Sequence, residues 1–182
     1  MKKMIALALS LMMLLCATAV LAEGAAEKTT LGTLKVGEAF TIQSKIPEGY
    51  TFSETLSGEL YLGGDLKGGE GKPTVTVSIG YNEEYADVER FNDVDEETVQ
   101  RIRDSFQVMD DVIFEDLQTA YGTRLLKVTQ ADRSFADIYT IYKGYELEFI
   151  MYYEDAEGAE ITDEQIQMLV DFISDMDFVS AE

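Results

Sequence analysis

The sequence predicts an α+β domain, in which a mostly antiparallel β-sheet packs against two main α-helices. Apolar residues alternate with polar ones in several segments, which is the two-residue period of a strand. In residues 93–111 and 161–176 they instead recur at three- and four-residue steps, as on one face of a helix. Because strands joined by short turns lie before and after the first helical segment, we expect antiparallel pairing.

The first 22 residues have the pattern of a secretory signal peptide. A basic start, "MKK", precedes an apolar run and then "VLA", whose small residues fit cleavage after Ala22. The run is short for a bilayer span, so we expect a secreted, extracellular or cell-envelope protein with no stable membrane insertion after cleavage. Residues 23–36 predict a loose N-terminal leader, and residues 37–182 predict a single α+β domain.

Three strands are expected in residues 40–82. The first lies in residues 40–46, where Pro47 ends it and Gly49 begins a turn. Residues 58–82 then predict two strands joined by a glycine-rich loop. In the second of these strands, alternation places four side chains on the core face: Val75, Val77, Ile79 and Tyr81.

Both helical segments begin with capping residues. Asp93 or Asp95 can cap the first helix, whose apolar stripe consists of Val99, Ile102, Phe106 and Met109. In the second helix, Thr162 and Gln165 have the spacing of a capping box. Its buried stripe is expected to consist of Ile166, Leu169, Val170 and Ile173.

Between the helices, "VIFEDL" and "TRLLKVTQ" predict two strands around Gly122, and residues 135–154 predict a tyrosine-rich hairpin. The pair Lys143-Gly144 suits a two-residue turn, which would pair Tyr142 with Tyr145. In the second strand of the hairpin, one face is then apolar and faces the core: Tyr145, Leu147, Phe149, Met151 and Tyr153.

The other face of this hairpin mixes aromatic side chains with carboxylates and has two interpretations. If nothing covers it, it is an exposed aromatic patch of the kind that marks a binding surface. The candidate binding residues are then Phe135, Tyr139, Ile141 and Tyr152. If a helix or the leader covers it, the same side chains form a second core layer, which is the commoner arrangement for aromatic residues in strands.

The chain is strongly acidic, with 35 acidic and 14 basic residues and a net charge of −21. That charge repels phosphate backbones and anionic membranes, so we expect no nucleic-acid partner. It leaves two interpretations open, namely attraction to cations or to a basic partner, and solubility alone.

No motif predicts a cofactor. The glycine-rich loop departs from a phosphate-binding loop at Leu66 and Pro73. The acidic loop at residues 153–164 fits a calcium loop in part, with candidate ligands Asp155, Glu157 and Glu164. Because Tyr153 stands where the first ligand belongs, a solvated loop is the simpler interpretation.

Catalysis is not expected. The sequence has no histidine, and its one cysteine lies in the predicted signal peptide, so His- and Cys-based triads and zinc sites are absent. A glycosidase that uses two carboxyl groups stays an alternative, which requires a suitably spaced pair in a cleft.

Residues 40–179 resemble the PsbP-like fold, the α/β sandwich of an extrinsic photosystem II protein and of a small Ran-binding import factor. The similar features are "GYTF" after "IP", "YGTRLLKV", the hairpin "IYTIYKGYELEFIMYY", and a closing helix followed by "DMDF". The resemblance implies a non-catalytic binding or assembly role and transfers no functional residue. With the bacterial type of export signal, we expect a secreted or cell-surface domain that binds an unknown protein or cell-envelope partner.

Overall fold

The structure is a computed structural model that describes residues 27–35, 39–107, 111–154 and 158–180. The predicted signal peptide lies outside the described residues. The strands are β1 (Thr29–Leu34), β2 (Phe40–Ser44), β3 (Tyr50–Ser57), β4 (Tyr61–Gly68), β5 (Thr74–Tyr81), β6 (Val112–Gln118), β7 (Arg124–Gln130), β8 (Phe135–Tyr142), β9 (Tyr145–Tyr152) and β10 (Asp177–Ser180). The helices are α1 (Glu96–Phe106) and α2 (Asp163–Ser174), and short 3-10 turns lie at Glu83–Tyr85 and Phe91–Asp93.

The strands form two antiparallel sheets. The larger has seven strands in the order β3-β4-β5-β9-β8-β7-β6, and the smaller has three in the order β1-β2-β10. The predicted α+β class with a mostly antiparallel sheet and two main helices is therefore confirmed. Within the described ranges, neither helix combines the length and the apolar character that crossing a bilayer requires.

The β8–β9 hairpin lies near the centre of the larger sheet and has the predicted register. Tyr142 pairs with Tyr145 at the turn, and Phe135 pairs with Tyr152 at the far end. Both turn residues have positive φ, 50° at Lys143 and 78° at Gly144. This is the type I′ arrangement, whose twist matches that of the flanking strands.

One face of the larger sheet packs against α2 and the smaller sheet. The side chains that alternate inward along β5 and β9 lie in this core, together with the apolar stripe of α2. Its central members include Val75, Val77, Ile79, Leu147, Phe149, Met151, Leu169 and Phe172. The predicted core faces of β5 and β9 and the predicted stripe of α2 are therefore confirmed.

The opposite face of the sheet carries a second, smaller core beneath α1. Val99 and Ile102 of α1 and Phe91 of the preceding turn pack onto β7 and β8. The buried strand residues there are Leu126, Val128, Tyr139 and Ile141. Met109, the last residue of the predicted α1 stripe, lies outside the described residues.

The helix starts agree with the predicted caps. Asp95 caps α1, since its Oδ1 accepts a hydrogen bond of 2.7 Å from the Thr98 amide. In α2, the Gln165 amide donates to Thr162 Oγ1 at 3.3 Å, and the Thr162 amide donates to Gln165 Oε1 at 2.9 Å. The reciprocal bonds of a capping box are both present.

The prediction of a loose leader over residues 23–36 is wrong for its second half. Residues 29–34 form β1, which pairs with β2 and buries Leu31 and Leu34 in the main core. The register of this strand shifts between Thr30 and Gly32, which breaks the simple alternation typical of a strand. A Cβ atom at Gly32 would displace the end of the buried Leu62 side chain.

Strand β3 is the other element that the sequence pattern did not indicate. Most of its residues are exposed, and it lies at the edge of the larger sheet. Only Tyr50 and Phe52 are half-buried against the main core, so the alternation by which strands are recognised is short. A further short strand, β10, follows α2 and pairs with β2.

We predict that replacing Ile141 with alanine lowers the free energy of unfolding by about 2–4 kcal/mol, because truncation of this fully buried side chain leaves a cavity beneath α1. The matched control is Ile113→Ala in β6, where the side chain is 52% exposed and the expected loss is below about 0.5 kcal/mol. Urea unfolding followed by circular dichroism measures both. Equal losses in the two variants would contradict a second core beneath α1.

Candidate functional site

The second face of the larger sheet is covered over only part of its width. Helix α1 lies over β7 and β8, and no element in the described part of the chain covers β4, β5 and β9 on that side. An open cleft of about 670 Å³ lies beside α1, over the strands that the helix does not cover. Strand residues form its floor, and residues of α1 and of the 83–85 turn form one wall.

Sheet register fixes which side chains border the floor. Gly80 of β5 pairs with Tyr61 on one side and with Glu146 on the other. In the next row on the same face, Ser78 pairs with Gly63 and with Glu148. Small residues therefore lie between an aromatic ring on β4 and two carboxylates on β9, which leaves the space of the cleft free.

Tyr61 lies across this floor. Its hydroxyl is 2.9 Å from Ser78 Oγ. A Cβ atom on Gly63 would be 3.0 Å from the Cε1 atom of the ring, and one on Gly80 would be 3.5 Å from Cδ2. Because Cε1 and Cδ2 are on opposite edges of the ring, the ring lies close to both glycines, while the residue stays 36% exposed.

Glu146 is held by two uncharged donors. The Tyr139 hydroxyl donates to Oε1 at 2.6 Å, and Asn82 Nδ2 donates to Oε2 at 3.0 Å. Burial and then the hydrogen bond to Glu146 raise the pKa of Tyr139 above its ordinary value, so the phenol keeps its proton. Glu146 is thus fixed in place without a neutralising positive charge from these donors.

Glu148 is held in a similar way by Asp137 of β8. Asp137 is 3% exposed, and its Oδ1 atom has no hydrogen-bond partner. Burial and then the negative charge of Glu148 raise the pKa of Asp137 to about 9. Asp137 is therefore a neutral acid at pH 7, and its side chain donates a hydrogen bond to Glu148.

A third carboxylate lies on the wall. Glu84 accepts from Arg101 of α1 in an ion pair of 2.6 Å. Arg101 is the only basic residue among the described residues that line the cleft, and Glu84 already binds it. The carboxylates of Glu146 and Glu148 thus give the cleft an excess of negative charge.

The four residues predicted as an exposed binding surface do not form one. Tyr139 is 6% exposed and Ile141 is 0% exposed, because the apolar stripe of α1 covers them. Only the hydroxyl end of Tyr139 reaches the cleft, through Glu146. Phe135 and Tyr152 are half-buried and pair with each other at the far end of the hairpin. For Tyr139 and Ile141, the second of the two interpretations, a core layer, is therefore the correct one.

The candidate calcium ligands are described only in part. Asp155 and Glu157 lie outside the described residues. Glu164 is exposed in the first turn of α2. Within the ranges that the structure describes, no group of three or more acidic, histidine or cysteine side chains has the spacing to hold a metal ion. Calcium binding by this loop stays an untested prediction.

The residues that form the cleft were visible in the sequence only in part. Alternation along "YELEFIMY" places Glu146 and Glu148 on one face, and the predicted register pairs them with Ile141 and Tyr139. Nothing in the sequence indicates that Tyr61, two strands away, completes the same site, because that depends on the order of strands in the sheet.

No family model, curated protein or solved structure matches this chain. The resemblance to the PsbP-like fold stays a prediction.

We predict that the free energy of unfolding of Asp137→Asn rises relative to that of the wild type as pH increases from 5 to 8. The folded protein holds a proton on Asp137 between its ordinary pKa of 3.8 and about 9, whereas the unfolded chain releases it. The stability that this proton contributes is complete below about pH 4, falls as pH rises, and is lost above about pH 9. Asparagine keeps a hydrogen-bond donor and does not titrate.

The measurement is the free energy of unfolding of both proteins in urea at several pH values. The difference between variant and wild type should grow by up to ~1.4 kcal/mol per pH unit, the value for one whole proton. Asp171→Asn on the exposed face of α2 is the matched control. A difference that is constant across this range would show that Asp137 is already ionised.

Proposed function

We propose that this chain is an exported bacterial binding domain without catalytic activity, and that it captures a basic segment of a partner protein of the cell envelope in the acidic cleft. The proposal rests on the surroundings of Glu146 and Glu148. Both carboxylates border an open cleft, and both are held by uncharged donors, so their charge is available to a ligand.

Electrostatics supports a cationic ligand. Glu146 and Glu148 are two residues apart on one strand, which places their Cα atoms about 6.6 Å apart. Two negative charges at that spacing repel each other, and a cleft with low-dielectric walls strengthens their joint potential. A bound cation between them would relieve the repulsion and would form charge-assisted hydrogen bonds with both.

The net charge of the chain, −21, acts in the same direction at longer range. It attracts a basic partner and accelerates its encounter, to a degree that falls with ionic strength. The pattern of residues 1–22 supports export to a compartment where such a partner would be met.

The arrangement of carboxyl groups favours binding over glycoside hydrolysis. A glycosidase needs a protonated carboxyl group that contacts the glycosidic oxygen. In this cleft the group held in its protonated form is Asp137, which is buried behind Glu148 and donates to it. Such a group can position its neighbour but has no path to a substrate.

We predict that a fluorescein-labelled peptide that contains both lysine and arginine binds the wild-type protein, and that Glu146→Gln combined with Glu148→Gln weakens binding at least about 10-fold. That factor corresponds to about 1.4 kcal/mol, a modest value for the loss of two charge-assisted contacts. Fluorescence anisotropy at physiological ionic strength measures the affinity, with thermal unfolding as a check that the variant is folded.

The matched control is Glu70→Gln combined with Glu164→Gln, which removes the same charge from two exposed sites outside the cleft. Its affinity should stay within about 2-fold of wild type, because exposed distant charges are screened. If both double variants bind equally weakly, attraction is a property of net charge and the proposed site is wrong. Absence of any binding by the wild type would contradict the proposal as a whole.

A further inference from the structure

We propose that the group received by the cleft is a planar guanidinium, as at the end of an arginine side chain, and that it stacks on the ring of Tyr61 while Glu146 and Glu148 accept its hydrogen bonds. This inference rests on the proposed function. It adds the chemical class of the ligand and a residue that selects it.

Tyr61 is a fixed platform. The ring fits beside Gly63 and Gly80, which have no Cβ atom to displace it, and its hydroxyl is 2.9 Å from Ser78 Oγ. An alanine at Gly63 would push the ring away, since its Cβ would be 3.0 Å from Cε1. Tyr61 is 36% exposed and lines the cleft, so its ring is accessible to a ligand there.

The Tyr61 platform lies beside the two carboxylates. Gly80 pairs with Tyr61 and with Glu146, so the ring and the first carboxylate flank one glycine. Ser78, which fixes the ring hydroxyl, pairs directly with Glu148. A flat cation on the ring would therefore have its edge toward β9.

The neighbouring polar groups do not neutralise Glu146 and Glu148, so the charge of these carboxylates is available to a ligand. From the neighbouring strand β8, Tyr139 and Asp137 each donate one hydrogen bond to these carboxylates, and neither brings a positive charge. Asp137 is buried with its Oδ1 unpartnered, a costly arrangement that a purely structural strand would avoid. Arg101, the basic residue of the described wall, is bound to Glu84.

A guanidinium suits this arrangement better than an ammonium does. A guanidinium is planar and weakly hydrated, stacks on aromatic faces, and presents several N–H donors in a fixed fork. A lysine ammonium is compact and strongly hydrated, so it gains less from an aromatic face and cannot fork to two carboxylates in the same way. An open ring beside two fixed carboxylates therefore favours arginine over lysine.

The test compares two labelled nine-residue peptides, one alternating arginine with glycine and one alternating lysine with glycine. The wild-type protein should bind the arginine peptide about 5-fold more tightly, as expected from stacking on one ring. Tyr61→Leu should weaken the binding of the arginine peptide more than that of the lysine peptide, and so remove this preference. Tyr61→Phe keeps the ring and should keep the preference.

Tyr121→Leu is the matched control, because Tyr121 is an exposed tyrosine that lies outside the cleft. It should leave the preference intact. Equal affinity of the wild type for both peptides would overturn the guanidinium inference and leave the proposed function standing. A preference that survives in Tyr61→Leu would overturn the role of Tyr61. If neither peptide binds, the proposed function fails, and this inference fails with it.

Discussion

The register of the β8–β9 hairpin is the constraint on which the rest of the structure depends. These two strands lie in the middle of the larger sheet, and their turn at Lys143-Gly144 fixes every pair along them. A shift of one residue would exchange the faces of β9. It would place Glu146 and Glu148 in the main core and bring Phe149 to the cleft. The same register thus sets the core and the chemistry of the candidate site.

The candidate site also has a cost to the fold. Asp137 is a buried carboxyl group in a central strand, and two more carboxylates, Glu146 and Glu148, lie on the same face of the neighbouring strand. Local rules of sheet design are broken at these positions, and proteins usually break such rules where function requires it. The two cores on either side of the sheet offset this cost.

Much of the fold could be predicted because its signals are local. Alternation in β5 and β9, the glycine turn and the capping box of α2 each depend on residues close together in the chain. The elements that escaped prediction lack such signals, since β1 has a register shift between Thr30 and Gly32 and most residues of β3 are exposed. The cleft could be predicted least, because its shape depends on non-local packing. Phe91 and Phe106 contact the ring of Tyr139 edge-on, which helps to set how far α1 extends over the sheet.

The measurement that tests the account most directly is a map of amide chemical shifts by NMR during titration of the isotopically labelled protein with the arginine peptide. If the ligand occupies the cleft, the largest changes should occur at residues that border it on separate elements, such as Ser78, Gly80, Glu148 and Arg101. Changes confined to a surface away from these residues, such as the first turn of α2 around Glu164, would contradict the account.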